Sequence, residues 1–99
     1  MSMITETIGE PAVYEQLAEE AAELAKAALK IARLLRNENP TPVKYKDGMD
    51  NLLEEVTDVS VCLYELELHP VDRIFQEKME RWIERIKAQR GASCCNPKQ

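Results

Sequence analysis

Gln16-Leu17-Ala18-Glu19-Glu20-Ala21-Ala22-Glu23-Leu24 lies in the middle of a run, Val13 to Leu35, that reads as one long helix. On a wheel at ~100° per residue, Val13, Leu17, Leu24, Ala28, Ile31 and Leu35 share one face. Glu20 falls inside that face, Glu23 at its edge and Glu19 further out. A carboxylate inside an apolar stripe is costly unless its charge is compensated. The stretch Leu52-Leu53-Glu54-Glu55-Val56-Thr57-Asp58-Val59 repeats the layout. Glu55 lies within the face of Leu52, Val56, Val59, Leu63 and Leu66, Asp58 lies at its edge, and Glu54 points out. Two helices thus each aim a pair of acids toward a shared core. The economical compensation is a divalent metal. Hard oxygen donors without a nearby His or Cys favour Mg²⁺, or Mn²⁺, over zinc or iron.

The chain has 99 residues, enough for one domain with a modest core. Thirteen basic against eighteen acidic residues give a net charge of −5, which argues against a general nucleic-acid binder. No apolar run approaches the ~18 residues of a membrane span, and no stretch reads as a signal peptide, so a soluble, cytoplasmic protein is expected. Cys62, Cys94 and Cys95 make no disulfide framework, being odd in number with two adjacent. Cys62 reads as a small core residue, and the other two belong to a frayed C-terminal end.

Three long helices follow from the punctuation. Residues 1–10 have no period and read as a flexible N-terminus or a short turn. The first long helix runs from Pro11 to Arg36, stopped by Asn37-Glu38-Asn39-Pro40-Thr41-Pro42. At 1.5 Å per residue it is roughly 40 Å long. Val43 to Lys46 reads as a linker. Asp47 serves as N-cap of the second helix, which ends near Leu68, before His69-Pro70. His69 reads as a turn residue. Pro70 opens the third helix, and Gly91 stops it after Arg90. The expected organisation is therefore a flexible segment 1–10, a helical domain 11–90 and a disordered tail 91–99. The fold class is all-α, a bundle of three long helices with room for a short fourth. The second helix is apolar on two sides, through Leu53, Val61, Tyr64 and Leu68. Such a helix wants two neighbours, which predicts a homodimer, or a higher homo-oligomer, that completes the bundle.

The third helix brings the opposite charge. Val71, Ile74, Phe75, Met79, Trp82 and Ile86 form its apolar face, with Trp82 read as a packing residue rather than a base-stacking one. Lys78, Arg81 and Arg85 line one stripe, while Glu77, Glu80 and Glu84 form a solvated row. Arg81 and Arg85 have a competing option, intrahelical pairs with Glu77 or Glu84.

A lone Glu-Glu-x-x-Glu is a weak signal in so acidic a chain, since most helical Glu residues lie on surfaces. The paired motifs weigh more. Glu19-Glu20-x-x-Glu23 followed by Glu55-x-x-Asp58, then Lys78-Met79-Glu80-Arg81, resembles the all-α nucleoside triphosphate pyrophosphatase superfamily, in its MazG-like branch. The resemblance covers roughly Val13 to Ile86. It departs from the pattern in the long connection through Pro40 and Pro42. A related histidine-pathway branch carries a His after its second acidic motif, where this chain has Ser60-Val61-Cys62-Leu63-Tyr64.

The resemblance implies Mg²⁺-dependent hydrolysis of a (d)NTP to the monophosphate and pyrophosphate. Glu20, Glu23, Glu55 and Asp58 would hold the metal, Glu19 or Glu54 would orient water, and Lys78, Arg81 and Arg85 would meet phosphate oxygens. The alternative is a non-catalytic helical dimer acting as an interaction or regulatory module. A di-iron bundle would want Glu-x-x-His on two helices, and the sequence has none.

Overall fold

The computed structural model describes residues 2–38 and 43–94 and forms four helices, with no strand among the described residues. They are α1 (Met3–Ile8), α2 (Glu10–Arg36), α3 (Tyr45–Glu65) and α4 (Asp72–Cys94). The chain divides into two compact units, Met1–Leu68 and His69–Gln99. Among the described residues no helix is long and apolar enough to cross a membrane.

In the first unit, α2 and α3 form the main packed pair. On α2, Val13, Ala27 and Ile31 are buried, and Leu17, Glu20, Leu24 and Leu34 are half-buried. On α3 the corresponding line is Gly48, Leu52, Glu55, Val59, Cys62 and Leu66. Both lines step by three and four residues, the 3.5-residue period of a pair that keeps one seam facing its neighbour. That corrects the wheel reading of α2. Ala28 and Leu35 are exposed and Ala27 takes their place, because a 100° wheel drifts off a heptad seam. Val56, placed on the core face of α3, is likewise exposed.

The pair is antiparallel. The start of α3 meets the end of α2 at Gly48, which faces Ile31 and Leu34. The middle of α3 meets the start of α2, where Asp58 and Cys62 share a cleft with Gln16 and Glu20. A Cβ on Gly48 would stand 3.1 Å from Ile31 Cδ1 and 3.3 Å from Leu34 Cδ1. Glycine therefore sets how closely the helices approach. Gly48→Leu is expected to cost about 1–3 kcal/mol by overpacking, read as a lower urea midpoint.

Several boundaries differ from the sequence reading. Met3–Ile8 is helical, with Ser2 as N-cap accepting from the Ile4 N–H at 3.3 Å. Six residues are too few to display a period, and the groups that hold α1 lie far along the chain. Gly9, at φ 89° and ψ 152°, turns the chain from α1 into α2, a conformation open to glycine. Asp47 is not the N-cap of α3. Lys44 is, without a side-chain bond, and the helix starts at Tyr45, ahead of the buried Gly48. Asp47 sits in the first turn, where its charge suits the helix dipole.

The ends of α2 and α3 share one device. Asn37 and Glu67 both adopt a left-handed φ of 55°. Beyond them Glu38 N–H donates to the Arg33 carbonyl at 3.1 Å, and Leu68 N–H to the Leu63 carbonyl at 2.9 Å. These are Schellman closures. The second one ends α3 at Glu65, before His69-Pro70 is reached. Asn adopts this backbone at little cost, whereas Glu does so under strain. Glu67→Gly is expected to stabilise the first unit by about 1 kcal/mol, read as a rise in melting temperature of about 4–8 °C.

In the second unit, α4 begins at Asp72 rather than Pro70, with Phe75 N–H donating to the Val71 carbonyl at 2.8 Å. It continues through Gly91 to Cys94, past the expected stop. Glycine ends a helix only where the chain turns left-handed, and here it does not. Cys95 and the rest of the tail, like Asn39, Pro40, Thr41 and Pro42, lie outside the described residues. Trp82, read as a packing residue, is 66 % exposed.

Candidate functional site

The antiparallel seam brings the acids of α2 and α3 together. One carboxylate oxygen each from Glu20, Glu55 and Asp58 lies within 4.8 Å of the other two. All three side chains are half-buried. Glu20 and Glu55 occupy seam positions on facing helices, and Asp58 is one turn beyond Glu55. Of the four acids expected to converge, these three come together.

Among the described residues no ion pair involves any of the three. Partial desolvation pushes the Glu55 carboxyl above its ordinary range, and the charges of Asp58, Glu20, Glu23 and Glu54 push it further. Burial foremost, then Glu20 and Asp58, raises the Cys62 thiol. Gln16 Nε2 donates to Glu20 Oε1 at 2.8 Å. That amide relieves one oxygen of Glu20 without neutralising it. A cleft of about 250 Å³ opens beside the acids, lined by Gln16, Glu20, Asp58, Val61 and Cys62.

The remaining residues of the expected site are distributed differently. Glu23 stands outside the trio, exposed, with its Oε1 3.6 Å from Lys26 Nζ. Its charge is still felt at Glu55. Glu19 and Glu54 are exposed. Lys78, Arg81 and Arg85 lie on the exposed surface of α4, in the second unit. The intrahelical pairs open to Arg81 and Arg85 do not form, since Glu77 meets Arg73 at 3.1 Å and Glu84 meets Lys87 at 3.9 Å.

The donor set suits a hard divalent cation. Three carboxylates converge, none of them is in an ion pair among the described residues, and one is already disfavoured as an anion. Opposite ligands of an octahedral Mg²⁺ stand about 4.2 Å apart. The three oxygens lie within 4.8 Å of one another, a spread close to that span. Gln16 and Glu65 were not singled out in the sequence. Gln16 lies one helical turn before Glu20, which was the available signal. Glu65 is buried and bonded to Ser2 and Thr5, and its low pKa follows chiefly from those two side-chain bonds outweighing desolvation. Nothing in the pattern of residues 1–10 announces that partnership.

Compared with protein families, with curated proteins and with solved structures, the chain finds no match.

Proposed function

We propose that this chain is a Mg²⁺-dependent nucleoside triphosphate pyrophosphohydrolase of the MazG-like kind, acting in the cytoplasm as a homodimer or higher homo-oligomer. The observation that carries the reading is the meeting of Glu20, Glu55 and Asp58 across α2 and α3, with no ion pair to them among the described residues. Support for assembly comes from exposed apolar side chains: Leu53, Val56 and Tyr64 on α3, and Phe75 and Trp82 on α4.

Glu20, Glu55 and Asp58 would hold Mg²⁺, with Glu23 joining by a rotation away from Lys26. The ion supplies neutralisation of phosphate oxygens and acidification of water. Glu19 and Glu54 flank the trio in sequence, and either can accept the proton of the attacking water and orient its oxygen. Gln16 fixes one oxygen of Glu20. By the resemblance, Lys78, Arg81 and Arg85 would meet phosphate oxygens. In the reaction, water oxygen bonds to the α-phosphorus and the bond from that phosphorus to the bridging oxygen breaks. Pyrophosphate leaves and the nucleoside monophosphate remains. Such a transfer needs positioning and charge stabilisation more than covalent help.

The test is a panel of NTPs and dNTPs with Mg²⁺, scored for pyrophosphate release, with EDTA as control. Release that requires the metal supports the reading. No release from any of them, by protein that is folded and oligomeric, supports the alternative of a non-catalytic helical module, which the exposed apolar side chains also favour.

A further inference from the structure

Glu65 is 7 % exposed, and the donors its carboxylate uses belong to α1 and its N-cap Ser2. Glu65 Oε1 accepts from the Ser2 hydroxyl, from Thr5 N–H at 3.2 Å and from Thr5 Oγ1 at 2.8 Å. Thr5 Oγ1 also reaches the Glu65 carbonyl at 3.5 Å. Thr5 is 2 % exposed, so its bonds to Glu65 are shielded from water.

Beyond these bonds α1 also touches α2. Its apolar residues Met3, Ile4 and Ile8 are exposed. A six-residue helix has no stability of its own in water. Its link to α2 is Gly9, in a conformation that only glycine adopts freely, which makes a natural pivot. At the other end, Glu65 is the last residue of α3. Val61 and Cys62, which line the acidic cleft, precede it by one turn.

We infer that α1 is a latch, pivoting at Gly9 and held shut by the Glu65 carboxylate, whose release loosens the last turn of α3 beside the cleft. The inference stands independently of the pyrophosphohydrolase reading, because it uses none of the three clustered acids. Removing the carboxylate takes away the acceptor of all three donors at once. A helix anchored mainly by apolar packing would lose little from this. A latched helix opens.

The experiment is amide hydrogen exchange by mass spectrometry on the full chain and on Glu65→Ala and Thr5→Val. In both variants, exchange over residues 3–8 is expected to rise by about tenfold or more, as loss of bonds to a charged acceptor implies. Exchange over residues 59–65 should rise less, and protection over 24–34 and 48–55 should hold. Thr5→Val keeps the side-chain shape, so it reports on the latch even where Glu65→Ala fails to fold. Unchanged exchange over residues 3–8 in Thr5→Val would overturn the inference. So would loss of protection in α1, α2 and α3 together, since α1 would then be part of one cooperative core.

Discussion

Glu55→Gln is expected to lower pyrophosphate release in Mg²⁺ by on the order of 100-fold or more, while the metal-free protein becomes more stable. The first effect follows from losing a charged metal ligand at the centre of the trio. The second follows from what surrounds Glu55 in the fold. Partial desolvation and the charges of Asp58, Glu20, Glu23 and Glu54 all disfavour its ionised form. Glutamine keeps the size and removes the charge, so the repulsion disappears. The pH dependence fixes the sign. A carboxyl whose folded pKa is raised costs stability above that pKa and nothing below the unfolded value. The mutant's advantage in EDTA is therefore full above the raised folded value and fades as the pH falls from there to the ordinary carboxylate value. If Glu55 were instead one half of a structural ion pair, its removal would strand a cation and destabilise the protein. Urea midpoints in EDTA at two pH values, beside turnover in Mg²⁺, separate these outcomes. A less stable mutant from an inactive parent would end the pyrophosphohydrolase proposal.

The same physics explains what could be read in the sequence and what could not. The end of α2 was legible because Asn37 announces a left-handed cap and the proline-rich stretch follows. The meeting of Glu20 with Glu55 and Asp58 was legible because both motifs share one spacing and one placement within an apolar stripe. The identity of the buried α2 residues was only half legible. Whether Ala27 or Ala28 faces the partner depends on the seam period, which the partner imposes. The end of α3 was misplaced because Glu67 takes a backbone conformation that its residue type does not advertise. The start of α3 was misplaced because Asp47 has the residue type of an N-cap but sits in the first turn, ahead of Gly48, which packs against Ile31 and Leu34. The helix α1 was invisible for a different reason. Its anchor, Glu65, lies sixty residues from Thr5, and no local pattern encodes such a bond.

Millimolar Mg²⁺ is expected to raise the melting temperature by on the order of 10–20 °C. A ligand that binds only the folded state stabilises it by about 2.7 kcal/mol at a hundredfold excess over its dissociation constant. For a domain of this size each kcal/mol is worth about 4–8 °C. The unfolded chain separates Glu20 from Glu55 and Asp58 and offers no comparable site. Two controls decide what the shift means. The chain carries a net charge of −5, so any salt relieves some general repulsion. Potassium chloride at matched ionic strength measures that share. Protein concentration is held constant, because an oligomer's melting temperature depends on it. Glu55→Gln then supplies the specific control. It should begin higher than the parent in EDTA and gain much less from Mg²⁺, so the two melting curves approach or cross as metal is added. A parent whose shift in Mg²⁺ equals its shift in potassium chloride has no metal site at the trio, and the raised Glu55 carboxyl would then be answered by protonation alone.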